Sequence, residues 1–212
     1  MCLPLIGGQE ITEAIRAEIE STKVEAEKGD PAAQTILGLL YSAGRGVPED
    51  DEEAAKWFRK AAGQGLAQAQ VLLGMAYVRG EGIPKNDREA IKWFRKAAGQ
   101  ENAEAQLKLG EMYQRGHGVS RDDKEAAKWF RKAAEQGHAD AQWAIGAAYW
   151  AGGEVPRDHV TAYAWFNISA ANGQEEAKQM KSLMGETMTP AQIAKAQELS
   201  KKMVKNNPKL LK

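Results

Sequence analysis

The sequence has few of the residues from which disulfide frameworks and metal centres are built. It contains one cysteine, Cys2, and three histidines among 212 residues. A single cysteine excludes an internal disulfide framework and a cysteine-based zinc site. Three histidines leave little room for a metal centre of another kind, and we predict neither a metal nor any other cofactor.

Long apolar runs and an excess of one charge are also absent. No run of about 18 apolar residues occurs, so we predict no membrane span. The 29 basic and 29 acidic residues give a net charge of +0, which argues against nucleic acid as a partner. The apolar residues 1–8 are too few for a signal peptide and lack a basic start. We expect a cytoplasmic protein, or a periplasmic or secreted one if an N-terminal signal has been removed.

The sequence repeats with a period of 36 residues. A fixed period of this size is typical of a solenoid, in which each unit packs against its neighbours. We predict four repeats at 29–64, 65–100, 101–136 and 137–172, an N-terminal tail and capping helix over 1–28, and a divergent half-repeat with a basic capping helix over 173–212. The period is carried by Trp57, Trp93, Trp129 and Trp165, by Phe58, Phe94, Phe130 and Phe166, by Gln34, Gln70, Gln106 and Gln142, by Gly38, Gly74, Gly110 and Gly146, and by Tyr41, Tyr77, Tyr113 and Tyr149.

Each repeat is predicted to form two helices joined by a glycine-rich loop. In the first repeat, Asp30 before Pro31 is typical of a helix start. Asp50 is predicted to cap the second helix, with Glu53 three residues later completing a capping box. Gly38 lies inside the first helix, where glycine costs about 1 kcal/mol relative to alanine. We expect a tryptophan or phenylalanine of the second helix to cover its bare backbone.

The two ends of the chain are predicted to cap the repeats and carry opposite charge. A helix is expected over 10–28, in an acidic stretch, and another from Thr189 and Pro190 onward. Segment 190–212 has six lysines and one glutamate. This asymmetry is compatible with steering of a partner or with head-to-tail association. The default interpretation is that each capping helix exposes a charged face to water.

The repeated residues resemble the Sel-1-like repeat, a relative of the tetratricopeptide repeat. The resemblance implies an all-α, right-handed α-solenoid that serves as a scaffold or adaptor for protein partners. Three departures, Glu101 for a closing glycine, Ser120 for a loop proline and Glu154 for a loop glycine, imply locally altered turns. The motifs that carry the resemblance lie at 37–41, 44–48, 54–57 and 61–65 and recur through about residue 173.

Positions that differ between repeats on the first helix of each pair are the candidates for partner binding. By analogy with tetratricopeptide-like solenoids, these helices line a concave surface. Tryptophan is over-represented in binding hot spots, and methionine suits adaptable surfaces. We predict a groove that takes a peptide or helix with apolar anchors; alternatively, Trp143 and Trp150 pack against a C-terminal helix that folds back. The candidate residues are Val71, Met75, Val78, Leu107, Glu111, Gln114, Trp143 and Trp150.

Two other patterns are better explained by solvated helix faces and helix ends than by ligand binding. Lys-Trp-Phe-Arg-Lys at 56–60, 92–96 and 128–132 resembles a basic, aromatic nucleic-acid surface. However, a glutamate lies three residues before the first lysine each time, which is typical of ion pairs on a solvated helix face. The glycine loops follow no strand and precede no Gly-Lys-Ser/Thr, so helix ends explain them better than phosphate binding.

No catalytic motif is evident, and we predict that the chain is not an enzyme. Gly-x-Ser-x-Gly, His-Glu-x-x-His and Ser-x-x-Lys are all missing. A cysteine-rich secreted branch of the Sel-1-like family has been linked with penicillin binding and β-lactamase activity, but its paired cysteines are absent here. The alternatives to an adaptor are a hydrolase of that type and a structural element of a larger assembly. The identity of the partner and the oligomeric state stay open.

Overall fold

The computed structural model describes residues 13–211, which form helices, turns and loops without a strand. This confirms the predicted all-α class. The chain divides into two compact units, Met1–Gln100 and Glu101–Lys212. The helices are α1 (Glu13–Glu27), α2 (Pro31–Ala43), α3 (Asp51–Gly63), α4 (Ala67–Arg79), α5 (Asp87–Ala98), α6 (Ala103–Arg115), α7 (Asp123–Glu135), α8 (Ala139–Ala151), α9 (His159–Ala171), α10 (Glu175–Thr187) and α11 (Pro190–Asn206), followed by a 3₁₀ turn (Pro208–Leu210).

In the first unit, α1 to α5 pack in chain order, each helix against the next. The glycine inside each first helix lies against a phenylalanine of the second. A Cβ atom on Gly38 would lie 2.6 Å from Phe58 Cε1, and one on Gly74 would lie 2.5 Å from Phe94 Cε1. Both distances are shorter than atoms tolerate, so glycine is needed for the close approach of the helices. Phenylalanine, rather than the neighbouring tryptophan, covers the bare backbone.

In the second unit, α6 to α10 also pack in chain order, but α11 does not continue the series. It returns to pack against α9, and the 3₁₀ turn after it contacts α7. The predicted helix start at the C-terminal end is confirmed, since Thr189 caps α11 and exchanges hydrogen bonds with Gln192 in a complete capping box. Of the predicted N-terminal helix, 13–27 is helical and 10–12 lies outside the described residues.

A series of glutamine side chains explains why glutamine recurs at the repeat period. Gln34 Nε2 on α2 donates to the carbonyl oxygen of Ala26 on α1, at 3.1 Å. Gln64, just after α3, donates through Nε2 to Gln34 Oε1 at 2.8 Å. Gln34 thus holds the helix before it and the end of the helix after it, and Gln70 does the same through Ala62 and Gln100. The side-chain pair recurs as Gln100 to Gln70 in the first unit and as Gln136 to Gln106 in the second.

The predicted capping box at the start of α3 forms only in part. The Asp50 side chain accepts a hydrogen bond from Glu53 N at 2.9 Å. However, the backbone N–H of Asp50 donates to the carbonyl oxygen of Tyr41 at 3.0 Å. The Glu53 carboxylate instead pairs with Lys56 Nζ at 2.9 Å. The second half of the box was therefore a wrong prediction, because the loop that closes onto α2 already satisfies the N–H group.

The turns at two of the departures from the repeat pattern differ from each other. Gly80, which ends α4, has φ 74° and ψ 29°. Gly152, the counterpart before Glu154, has φ 73° but ψ −160°, so the turn there is altered, as predicted. At Glu101 the left-handed φ is kept, at 61°, but α5 ends at Ala98, one residue earlier in the repeat than α3 does at Gly63. The hydrogen bond from Leu66 N to the carbonyl oxygen of Ala61 also has no counterpart at Asn102, so the turn at Glu101 is altered as well, as predicted.

Replacing Glu101 by glycine is expected to raise the free energy of unfolding by about 1 kcal/mol. The left-handed region costs an L-residue about 1–2 kcal/mol, and a more flexible unfolded chain offsets part of the gain. Glu101 is the only non-glycine residue with positive φ among residues 13–211. Urea unfolding followed by circular dichroism measures the effect, with Glu101→Ala as the control because it keeps the strained backbone. Equal stabilisation by both variants would contradict the strain account. The equivalent glycines are Gly29, Gly65, Gly137 and Gly173.

Candidate partner-binding surface

A shallow apolar groove, here called the first-unit groove, lies between α2, α3 and α4. Leu39 and Met75 contribute to its walls, and the buried Phe58 lies beneath them. The groove encloses about 70 Å³. Its charged members are Asp51, Arg79 and Glu81, and its other lining residues are Ser42, Ala54, Ala55, Leu72 and Ala76.

The groove exists because α2 is apolar on more than one face. Its buried side chains include Leu37 and Gly38, which pack on the neighbouring helices of the first unit. Ile36 and Leu39, one turn apart on another side, are 50% and 44% exposed. A single exposed apolar side chain needs no explanation, whereas contiguous ones are typical of an interaction surface.

The first-unit candidates predicted from the sequence fall in different environments. Met75 lines the first-unit groove, and Val78 is half-buried on the same helix. Val71 is buried, so the expectation that it is a surface anchor without a packing role is wrong. Its side of α4 is packed, although it precedes Met75 by only four residues. Binding by Met75 and Val78 stays a prediction.

The third repeat presents charge where the first unit presents apolar side chains. Lys108 Nζ lies 3.5 Å from a Glu104 carboxylate oxygen and 3.3 Å from one of Glu111. His138 Nε2 lies 2.9 Å from Glu104 Oε2. This hydrogen bond, with Lys108 nearby, holds the pKa of the Glu104 carboxyl below its usual value. Glu111 therefore belongs to a charged network.

Two candidates of the third repeat have unlike environments. Gln114 is exposed near the end of α6. Leu107 is buried in the core cluster that also contains Ile145, Phe130 and Leu210. The expectation that Leu107 is a surface anchor is therefore wrong, for the same reason as for Val71: its side of the helix is packed.

Trp143 and Trp150 are half-buried and pack within the second unit. Both contact the cluster of buried side chains from α9, α10 and α11. The Trp150 and His159 ring centroids lie 4.5 Å apart. The Trp143 indole Nε1 is buried and has no hydrogen-bond partner among the described residues. Packing against the C-terminal helices, the alternative considered for these tryptophans, is thus what the structure shows, and a role in partner binding stays a prediction. The buried members of the cluster are Ala162, Tyr163, Phe166, Ala177, Met184, Met188 and Ala196.

The second helices expose the lysines and the arginine of each Lys-Trp-Phe-Arg-Lys motif, while the phenylalanine is buried. The last lysine of each motif lies over the tryptophan ring, with Lys60 Nζ 3.7 Å from the Trp57 centroid. The predicted ion pairs from the preceding glutamates are present, as in Lys128 to Glu125 at 2.8 Å. Such contacts are typical of a solvated helix face.

The fourth repeat alters this motif in a way that the sequence analysis missed. Residues 164–168 read Ala-Trp-Phe-Asn-Ile, so both lysines are replaced by apolar residues. Ala164 and Ile168 are buried, and α11 packs on α9. The loss of charge on α9 was the available signal that a later helix covers it. Ile36 and Leu72, which occupy one repeat position, were also missed, although this position is apolar in the first two repeats and is Lys108 in the third.

Residues suited to metal binding or membrane insertion are not brought together in the described part of the chain. No three histidine, cysteine, aspartate or glutamate side chains of residues 13–211 are close enough to hold a metal ion. Within the same range, every helix is too short or too polar to cross a membrane.

Helix pairs with a 36-residue period, linked by glutamine side chains, define the class of helical repeat proteins. A family model described as the Sel1 repeat matches four successive segments, 31–66, 67–102, 103–138 and 139–174. The chain belongs to the Sel1 repeat family, which confirms the resemblance seen in the sequence. Proteins of this family are generally protein-interaction scaffolds.

Solved structures agree with this family. A Sel1 repeat protein from Oxalobacter formigenes is 30% identical, with a TM-score of 0.76 over 91% of this chain and 59% of that one. The protective antigen c5321 of uropathogenic Escherichia coli strains, which displays an SLR fold, is 29% identical, with a TM-score of 0.58 over 94% of this chain and 51% of that one. The chain thus spans little more than half of each protein. Comparison with curated proteins gives no match.

A third structure shows likeness of fold alone. The immunity protein Pa5087 from Pseudomonas aeruginosa is 22% identical, with a TM-score of 0.54. The match covers 91% of this chain and 73% of that chain. At this level of identity, the comparison supports the stacking of helix pairs and says nothing about the partner.

Proposed function

We propose that this chain is a non-catalytic interaction scaffold whose first-unit groove binds apolar side chains of a partner peptide or helix. The observation that carries the proposal is the exposure of Ile36 and Leu39 beside Met75. Leu39, Leu72 and Met75 line the groove from two first helices and form an apolar strip, and Ile36 lies one turn before Leu39 on α2. Burying such a strip against a partner is favourable because its apolar surface leaves water.

The charged members of the groove suit orientation of the partner. Arg79 Nη1 lies 3.6 Å from Glu81 Oε1, and more than two fifths of each side chain is exposed. Asp51 lies on the first turn of α3. The apolar strip would supply most of the affinity, whereas exposed charges at its edge favour one binding direction and add little energy. A partner helix with apolar residues at i, i+3 and i+7 matches a strip of this kind.

Leu39→Glu is expected to weaken partner binding by a factor of ten or more, because it places a carboxylate in an apolar contact. The wild-type chain first captures proteins from a native extract, and mass spectrometry identifies any specific partner. Titration calorimetry then compares the purified partner with each variant, after circular dichroism has shown unchanged helicity.

Leu183→Glu is the matched control. Leu183 lies on α10, in the same repeat register as Leu39, and is 49% exposed. A partner that binds Leu39→Glu as well as wild type, but is lost with Trp143→Ala or Trp150→Ala, would contradict the position of the site. Turnover of nitrocefin by the purified chain would contradict the non-catalytic function itself.

A further inference from the structure

A second groove, here called the C-terminal groove, lies between α9 and α11 in the second unit. It encloses about 350 Å³. Ile168 and Val204 contribute apolar surface, and Leu211 beside them is 41% exposed. Asn167 Nδ2 donates to Ser200 Oγ at 2.9 Å, which satisfies polar groups that line the groove. The groove therefore offers an apolar surface whose polar neighbours are already bonded.

Lysines without counter-ions among the described residues lie along the α11 side of this groove. Lys201 and Lys205 line it, and both are exposed. Neither they nor the adjacent Lys202 form an ion pair with any described residue. The lysines that open the motifs on the second helices differ, because each pairs with a glutamate, as Lys56 does with Glu53 at 2.9 Å. The C-terminal groove thus combines apolar surface with uncompensated positive charge.

The outward face of α1 has the complementary properties. α1 packs on α2, and its buried residues are Ile19 and Ala26. The opposite side is a stripe at helical spacing, formed by Ala17, Ser21 and Val24, of which Val24 is 47% exposed. Five carboxylates flank this stripe on its two sides, at Glu13, Glu18, Glu20, Glu25 and Glu27.

Part of this negative charge is uncompensated within α1. Glu20 pairs with Lys23 at 2.7 Å, and Glu25 pairs with Lys28 at 2.9 Å. Glu13, Glu18 and Glu27 form no ion pair with any residue in the range 13–211. α1 therefore presents the apolar side chains of Ala17 and Val24, with Ser21 between them, flanked by carboxylates that have no ion-pair partner among the described residues. This surface complements an apolar groove that has unpaired lysines along its α11 side.

We propose that α1 of one copy of this chain binds in the C-terminal groove of a second copy. Val24 meets the apolar surface beside Leu211, and one flank of α1, which carries either Glu18 or Glu27 among its carboxylates, faces Lys201 and Lys205. One such contact leaves the groove of the first copy and α1 of the second copy unused, so a second identical contact either closes the dimer or adds a further copy. A single helix in a groove buries little area, and exposed charges are screened by salt. The association is therefore weak and salt-sensitive.

Sedimentation velocity of the full chain over a range of concentrations tests the proposal. The expected result is a mass that rises with concentration from the monomer to the dimer or larger assemblies at low ionic strength and falls to the monomer at high ionic strength. Lys201→Glu/Lys205→Glu is expected to weaken self-association by a factor of ten or more. Glu18→Lys/Glu27→Lys is expected to do the same. All four residues are exposed, so the variants keep the helicity of the wild type.

A mixture of the two charge-reversed variants is the decisive experiment. The basic α1 of one variant complements the acidic groove of the other, and the unchanged α1 and groove complement each other as in the wild type. Association is therefore expected to return in the mixture. Lys85→Glu/Lys124→Glu reverses two exposed lysines elsewhere and is expected to associate like the wild type.

Three outcomes would overturn the proposal. The first is a chain that stays monomeric at every concentration at low salt. The second is association that the charge reversals leave unchanged, or that the mixture does not restore. The third is a monomer that nevertheless binds poly-glutamate through Lys201 and Lys205, which would assign the C-terminal groove to another acidic partner.

Discussion

Gly82→Ala is expected to destabilise the first unit by more than about 3 kcal/mol, well above the usual cost of a loop substitution. A Cβ atom on Gly82 would overlap the carbonyl oxygen of Asp51 and would lie 2.6 Å from Glu52 N. Both obstacles are backbone atoms of the first turn of α3, so no side chain can move aside. The φ of 66° adds the cost of a left-handed alanine. The loop after α4 would have to leave α3.

Gly80→Ala is the matched control, two residues earlier in the same loop. Gly80 also has a positive φ, of 74°, but the nearest atom to its Cβ would be Lys85 Cβ at 3.4 Å. The control therefore isolates the conformational cost, about 1–2 kcal/mol. Urea unfolding followed by circular dichroism compares the two variants with the wild type. Equal losses would show that the close approach to Asp51 contributes nothing.

Leu210→Ala is expected to lower the free energy of unfolding of the second unit by about 2–5 kcal/mol, the range for deleting a buried leucine side chain. Leu210 lies in the 3₁₀ turn at the end of the chain and is buried in the same core cluster as Ile145. The turn brings it across to α7, far away in sequence. A cavity would therefore open in the core, not at a frayed end.

The main chain at Leu210 shows why this turn belongs to the core. In the first repeat, Gln64 Nε2 donates to the carbonyl oxygen of Gly29 at 2.9 Å. In the fourth repeat the shorter Asn172 stands at the position of Gln64, and its Nδ2 donates to the carbonyl oxygen of Leu210 at 2.6 Å. Gln142 Nε2 donates to the same oxygen at 2.8 Å. The turn thus supplies an acceptor to the last glutamine of the series.

Leu211→Ala provides the control for the Leu210 prediction. Leu211 is 41% exposed and lies outside the core cluster, so the substitution should change stability by less than about 0.5 kcal/mol. Thermal and urea unfolding of both variants measure the difference. If Leu210→Ala cost no more than Leu211→Ala, the turn would not be part of the core, and the hydrogen bonds to Leu210 would be incidental.

The candidate residues show whether positions that differ between repeats can be predicted from sequence to bind a partner. Val71, Leu107 and Trp143 occupy one repeat register, and the sequence treats all three as exposed candidates. Two are buried, and Trp143 is half-buried beneath the C-terminal helices. Met75, one turn further along α4, does line a groove, together with Leu39. Differences between repeats therefore identified residues free to vary, but not residues free to bind.

The sequence by itself determined the helix pairs, because the signals that specify them are local and recur every 36 residues. The capping residues, the glycine under each phenylalanine and the glutamine series all lie within one repeat or between neighbours. Only the tertiary structure decided which faces stay open. α11 returns to α9, and Leu210 fills a core that residues of α7 and α8 leave unfinished. Burial depends on contacts between residues distant in the chain, and no periodic pattern encodes those contacts.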